Sequence, residues 1–314
     1  MRKYTFLLLF ACLIFSQTNA GQRGYQLGKT PVDKIISTMT LEEKANLLVG
    51  GGYKVVDGKR GSTLPETNIG AAGMTVSIPR FGIPATVETD GPAGVRISPT
   101  REGDVGTFYC TGFPIGTSLA STWNTVMVNE VGKAMGNEVL EYGCDVLLAP
   151  GMNLHRNPLC GRNFEYYSED PLLVGKMAAS IVRGVQSQGV GTSIKHFAAN
   201  NQETYRTENS SDVSQRALRE LYLKGFEIAV KEAQPWTVMS SYNKLNGVYT
   251  QEDYQLLTTL LRDEWGYKGI VMTDWTGTRN TIAQIHAGDD LLMPGNTEQV
   301  QSIMSAVKDG KLSM

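Results

Sequence analysis

Neither sign of charge dominates this sequence. Its 314 residues carry 29 Lys and Arg against 31 Asp and Glu, a formal net charge of −2. So balanced a chain presents no electrostatic footprint for nucleic acid or for an anionic membrane surface. Charged residues are only 19 % of the total and hydrophobic ones 41 %, which excludes an intrinsically disordered chain. Cysteine is scarce: Cys12, Cys110, Cys144 and Cys160 are the whole set, with no close pair of the kind that holds zinc. A chain of this length builds its core without disulfides, so buried thiols with at most one disulfide are expected. Low-complexity segments and sequence repeats are missing. The longest apolar run, Phe6–Phe15, is about half of what a membrane-spanning helix needs.

That run is nevertheless informative. Arg2 and Lys3 precede it, and Ser16 to Ala20 follow with small residues suited to cleavage after Ala20. This is the pattern of an export signal, and it places the mature protein in the periplasm or outside the cell. A lipid anchor at Cys12 fits less well, because Leu13–Phe15 continue the apolar run past it. Residues 21–314 are then expected to form one domain with no integral membrane segment; oligomeric state is not legible.

The mature sequence alternates short apolar runs with longer stretches of helical periodicity. Ala85–Val87, Val146–Ala149, Thr192–Ile194, Thr237–Met239, Ile270–Met272 and Leu291–Met293 each have the length of a buried strand. Thr40-Leu-Glu-Glu43 reads as a capping box, and Asp170-Pro171 as a helix start. Asp212 with Gln215 marks another start, ahead of Ala217, Leu218, Leu221, Gly225, Ile228 and Ala229 on one face. The alternation predicts an α/β fold with a parallel sheet and helical crossovers.

The chemistry-bearing residues cluster at strand ends. Asp90 follows the first run within three residues, Lys195-His196 follow Thr192–Ile194, Tyr242 follows Thr237–Met239, and Asp274-Trp275 follow Ile270–Met272. In a (β/α)8-type barrel all strand C-termini meet at one mouth, so these distant residues would face one pocket. An open doubly wound sheet also gathers function at strand ends, but no glycine-rich fingerprint opens a helix after a first strand. Gly50-Gly51-Gly52 follows a helical stretch and is a poor phosphate cradle.

Five ordered segments carry a resemblance: IPRFGIPATVETDGPAGVR (78–96), LLAPGMNLHRNPLCGRNFEYYSEDP (147–171), IKHFAANNQETYR (194–206), VMSSYNKLNG (238–247) and IVMTDW (270–275). The chain resembles the N-terminal barrel domain of glycoside hydrolase family 3, particularly bacterial β-glucosidases. The resemblance implies an irregular TIM-like barrel and a retaining exo-β-glycosidase in carbohydrate catabolism. Asp274 is then the nucleophile, since retention needs an ionised carboxylate to attack the anomeric carbon. The competing reading of Asp274 is an N-cap for the next helix.

By the same resemblance Asp90 grips two hydroxyls of the sugar, Lys195 and His196 hydrogen-bond it, and Arg162 reaches its hydroxyls. Tyr242 hydrogen-bonds the nucleophile, Trp275 offers an aromatic platform to the leaving group, Met239 forms wall or core, and Arg206 approaches the rim. Consecutive strand residues face opposite ways, so Lys195 and His196 share a pocket only where the strand ends or kinks. Arg96 reads as structural or peripheral, Arg156 and Glu165 as braces for their loop, and His155 as a weaker candidate at the same mouth. No metal or cofactor is implied, because hydrolysis through paired carboxylates needs none.

The second carboxyl is not found in the motifs. In β-glucosidase-like members the acid/base glutamate lies in a following α/β sandwich domain, past position 314, so the chain reads as a front portion. A single-domain branch, the β-N-acetylglucosaminidases of cell-wall recycling, carries its acid in a Pro-Gly-His loop; here Ala198-Ala199-Asn200-Asn201 stand instead. β-Xylosidase or mixed specificity is a close alternative, and an exported non-catalytic sugar-binding barrel is another.

Overall fold

The computed structural model describes residues 24–51, 54–56, 59–61, 70–101, 103–275 and 279–314. The export signal read over 1–20, Cys12 and Gly52 lie outside them. The chain divides into two compact units, one of residues up to Thr40 with Ile78–Pro84, the other of Leu41–Ser77 with Ala85–Met314. In the first, helix α1 (Val32–Thr38) is tied to the 78–84 segment by an Arg80 hydrogen bond to the Thr38 carbonyl. Leu27 N–H donates to the Phe81 carbonyl, and the Arg80 guanidinium lies 3.9 Å over the Phe81 ring.

The second unit is built on a six-stranded sheet. Its strands are β1 (Gly73–Met74), β2 (Val87–Asp90), β3 (Val146–Leu148), β4 (Gly191–Phe197), β5 (Thr237–Ser240) and β6 (Ile270–Thr273), in the order β1-β2-β3-β4-β5-β6. β2 to β6 run parallel, as the alternation predicts, while β1 pairs antiparallel with β2. The first strand runs through Val87–Asp90 and not Ala85–Val87. Glu88 and Thr89 hid it, because both are polar yet almost fully buried. Leu291–Met293 forms no ladder: Leu291 bridges Met272 and Leu292 bridges Val49, and Gly51 N–H donates to the Met74 carbonyl. Among the described residues the regular sheet thus stops short of a complete barrel.

Helices α2 (Leu41–Leu47), α3 (Gly116–Ser121), α4 (Thr125–Glu141), α5 (Pro171–Gln186), α6 (Lys224–Ala233), α7 (Thr281–Ala287) and α8 (Thr297–Lys308) accompany the sheet. Asp170 caps α5 as read, accepting from Leu172 and Leu173 N–H. The start read at Asp212 is instead made by Ser214, whose hydroxyl accepts from Ala217 N–H, while Asp212 accepts from Ser210. A π-helical turn over Leu218–Tyr222 then rephases the apolar face: Leu221 is exposed, and Leu223, Phe226, Ala229 and Val230 are buried. A small three-stranded sheet of Ser210–Ser211, Lys244–Leu245 and Val248–Tyr249 was not anticipated. Its hairpin turns on Asn246-Gly247, both at positive φ, the pair that suits a two-residue turn.

Most buried apolar residues form one cluster that includes the facing sides of α4, α5 and α6. A second cluster is rich in methionine: Leu148, Met239, Met272, Leu291 and Met293, with Ala72 and Trp275 against it. Cys110, Cys144 and Cys160 are free thiols, and Cys144 is buried.

α4 and α5 cross at glycine. A Cβ on Gly184 would stand 2.3 Å from the Asn129 carbonyl oxygen and 2.9 Å from the Gly132 Cα. Within a helix, alanine normally outranks glycine by about 0.5–1 kcal/mol. Gly184→Ala is expected to reverse that and cost about 1–3 kcal/mol in urea unfolding. Gly112→Ala, where a Cβ meets nothing within 4 Å, should be neutral; equal stability for the two variants would refute this close crossing.

Candidate functional site

Strand ends bring the reactive groups together as the parallel topology dictates. Asp90 ends β2, Lys195 and His196 lie near the C-terminal end of β4, Tyr242 lies two residues beyond β5, and Asp274 directly follows β6. They line one cavity of about 680 Å³ together with Arg96, Leu148, Arg162, Arg206, Met239 and Trp275. Every residue singled out for catalysis or sugar contact is on its wall. Ala72, Leu148, Met239 and Trp275 supply one side of its apolar lining, backed by Met272, Leu291 and Met293, and Ala71, Ile97 and Pro99 supply the rest.

The backbone of β4 accounts for the adjacent lysine and histidine. Its pairing with β5 shifts register between Ile194 and Phe197, the irregularity that lets both side chains reach one cavity. Lys195 N–H donates to the Pro150 carbonyl, and its carbonyl accepts from Met152 N–H. The Asn153 side chain takes both backbone groups of His196, each at 2.9 Å. Tyr166 OH stands 3.1 Å from His196 Nδ1, fixing the ring. Burial, then Arg162, Lys195 and Arg206, push the imidazole well below its ordinary range, so it is neutral.

Asp90 is a charged anchor. Lys195 Nζ donates to its Oδ1 at 2.9 Å, and Arg96 to its Oδ2 at 3.1 Å. Burial works against its charge, but Lys195, with Arg96 and Arg162, outweighs that and holds the carboxyl below the usual range. Arg96, read as structural or peripheral, braces Asp90 from the cavity wall. Arg162 is held by Glu165 through Nε, and Glu165 is buried behind it. Arg206 pairs with Glu203 at 2.8 Å and lies 4.7 Å over the Tyr242 ring.

Asp274 is almost fully buried. Its N–H donates to the Ser240 carbonyl, Oδ1 accepts from Trp275 N–H at 2.8 Å, and Oδ2 faces His196 Nε2 at 3.8 Å. Burial pushes its carboxyl up; Lys195, the Trp275 N–H, Arg162 and the Tyr242 hydroxyl pull the other way without cancelling it. The capping alternative fails, because Asn280 caps α7 through Ile282 and Ala283 N–H. Trp275 is pinned by its indole N–H, which donates to the Ala72 carbonyl.

Some supporting residues escaped the sequence reading. Asn153 and Tyr166 lie inside the 147–171 motif but carry no reactive signature. Arg279 donates to the Tyr242 and Thr207 carbonyls and stacks 3.6 Å over Tyr249. His155 does not join the lining: its Nε2 meets the Asn163 carbonyl at 2.8 Å and it braces the loop. Arg156 reaches out to Tyr222 OH.

The Glycosyl hydrolase family 3 N terminal domain matches residues 67–314. Over 282 residues the chain is 45 % identical to an exo-α-(1→6)-L-arabinopyranosidase of Bifidobacterium breve, covering 88 % of this chain and 35 % of that protein. It is also 45 % identical to a β-glucosidase of Rhizobium radiobacter, covering 90 % of this chain and 32 % of the relative. Among solved structures, β-glucosidase 3B of Thermotoga neapolitana in complex with α-D-glucose superposes with a TM-score of 0.85 at 57 % identity. That match covers 90 % of this chain and 40 % of the other. The chain spans about a third of the length of the curated relatives it matches.

Glu88 sits beside this cavity with a testable charge state. It is 2 % exposed, and burial, then the Asp145 carboxylate, pushes its carboxyl up to about 8. Between its ordinary value of 4.5 and about 8, the folded chain keeps a proton that the unfolded chain has lost. Its contribution to stability is therefore full below the lower value and is lost as pH rises through the upper one. Glu88→Gln should match wild type in thermal unfolding near pH 4.5 and exceed it by a few kcal/mol near pH 8, at about 1.4 kcal/mol per displaced pH unit. A pH-independent difference would mean that Glu88 is ionised in the fold.

Proposed function

The chain belongs to glycosyl hydrolase family 3, and on that footing we propose that it hydrolyses terminal non-reducing β-D-glycosidic bonds with retention, through Asp274. The observation that carries this reading is a rigid, buried carboxylate at the end of β6, sharing one cavity with a charged Asp90–Lys195 pair. An ionised Asp90 accepts two hydrogen bonds from vicinal hydroxyls, and Lys195 and Arg162 donate to others. A neutral His196 donates or accepts without adding charge beside the nucleophile. The fold this reading assigns is a TIM-like barrel whose regular strands are supplemented by the single bridges at Val49, Leu291 and Leu292.

In the proposed step an Asp274 oxygen attacks the anomeric carbon as the bond to the leaving oxygen breaks, giving a glycosyl-enzyme ester. Water later cleaves the ester with net retention. Lys195, Arg162 and the Tyr242 hydroxyl favour the ionised form of Asp274 against its burial. Among the described residues the lining carboxyls are Asp90 and Asp274, and Asp90 is held ionised, so neither is assigned the protonation of the leaving oxygen. A binding-only barrel has no use for Asp274, which favours the catalytic reading. Export to the periplasm or outside the cell is part of the proposal, supported by Arg2, Lys3 and the Phe6–Phe15 run.

A 2-fluoro glucoside with a very good leaving group needs little help from an acid. It is expected to label Asp274 covalently, as read by peptide mapping, and Asp274→Asn should abolish the label. Labelling should fade on the acid side, as pH falls through the raised range of Asp274. Tyr242→Phe should move that limb to higher pH and slow labelling about tenfold. Label on another residue would sink the nucleophile assignment. Glucose binding by calorimetry should weaken about 10- to 100-fold in Asp90→Asn, which removes a charged hydrogen-bond acceptor; unchanged affinity would remove Asp90 from the sugar site.

A further inference from the structure

Behind β5 and β6, on the side away from the cavity, lies a buried polar group that the mechanism above does not use. Asp289 is 3 % exposed, and it lies in the segment joining α7 to the Leu291 bridge. Its N–H donates to the Gln284 carbonyl of α7. Its Oδ1 stands 3.1 Å from Ser240 Oγ, and its Oδ2 is buried with no hydrogen-bond partner. Ser240 is fully buried, and its hydroxyl also stands 3.2 Å from the Met272 carbonyl. The Ser240 carbonyl, in turn, accepts the N–H of Asp274 at 3.1 Å. One residue therefore links Asp289 to the backbone of the nucleophile.

Proton counting decides the state of this group. A serine hydroxyl has one hydrogen and two lone pairs. It cannot donate fully to both the Met272 carbonyl and an Asp289 carboxylate. A protonated Asp289 resolves the conflict: its O–H donates to Ser240 Oγ, and Ser240 donates to Met272. An ionised Asp289 would instead leave Oδ2 as a bare buried anion, which is costly. Among the described residues the charged neighbours are Asp290, Arg262 and Glu252; Arg262 is already paired with Asp290, so none of them offers Asp289 a free cation. Burial, chiefly, pushes its carboxyl well above the ordinary range, in agreement with this count.

We propose that Asp289 is a positioning residue that works as a neutral acid, donating to Ser240 so that the Ser240 carbonyl holds the Asp274 backbone in place. The neutral form also keeps a second negative charge away from the nucleophile. This inference rests on the assignment of Asp274 above.

Asp289→Asn replaces the donor with an amide N–H and stays neutral; Asp289→Ala removes the donor. The 314-residue chain and both variants are compared in two ways. In thermal unfolding, the acid's contribution is lost as pH rises, so Asp289→Asn should gain on wild type between pH 5 and pH 8. A variant that loses ground over that interval would overturn the neutral state. In covalent labelling by the 2-fluoro glucoside, Asp289→Asn should keep the rate within about twofold and the same pH profile. Asp289→Ala should slow the labelling step about tenfold or more, with the half-saturating concentration changed less than threefold. Labelling of Asp289→Ala at the wild-type rate would overturn the positioning role, as would a shifted acid limb in Asp289→Asn. If wild type takes no label, the nucleophile assignment falls and the positioning role with it, while the unfolding comparison still decides the protonation state.

Discussion

A lysine ammonium almost without solvent contact is the constraint on which the site turns. Lys195 is buried, so its charge must be met inside the protein, and Asp90 meets it at 2.9 Å. An isolated ammonium in such a place would give up its proton. The pair in turn dictates the surroundings. It keeps Asp90 ionised despite burial, lowers the proton affinity of His196, and favours charge on Asp274 across the cavity. Lys195 thus decides the charge of Asp90, while at His196 and Asp274, where burial comes first, it acts alongside Arg162; the backbone holds it by both its N–H and its carbonyl.

The part of this arrangement that was legible in the sequence follows from parallel topology. Apolar runs that end in Asp, Lys-His, Tyr and Asp imply strands that deliver reactive groups at one end, and the cavity gathers those residues. What stayed hidden obeys other physics. Glu88 and Thr89 disguised a strand because sequence patterning treats polar residues as exposed, whereas a buried carboxyl can persist as a neutral acid. The π-helical turn at Leu218–Tyr222 leaves no mark in composition; it shows only as a slip in the phase of the apolar face, with Leu221 turned outward.

The braces were hidden for a different reason. Asn153 acts through an amide that takes both backbone groups of His196, and such a role depends on where the chain returns in space. Arg279 likewise holds the Tyr242 carbonyl from beyond the last motif. Reactive side chains have a chemical signature at a strand end; the groups that orient them have none. Arg96 has the structural place its reading allows: its guanidinium is largely exposed and meets Asp90 in the wall.

The methionines beneath the cavity carry a consequence of another kind. Met239 lines the wall, and Met272 and Met293 pack behind it. Thioethers fill irregular space and adapt to neighbours, which suits the packing of a cavity wall against the Trp275 indole. All three methionines are buried and so shielded, but a sulfoxide at Met239, the one that lines the cavity, would turn a flexible apolar side chain into a polar, chiral one. A cavity with such a floor, once oxidised there, would lose its shape before the chain lost its fold.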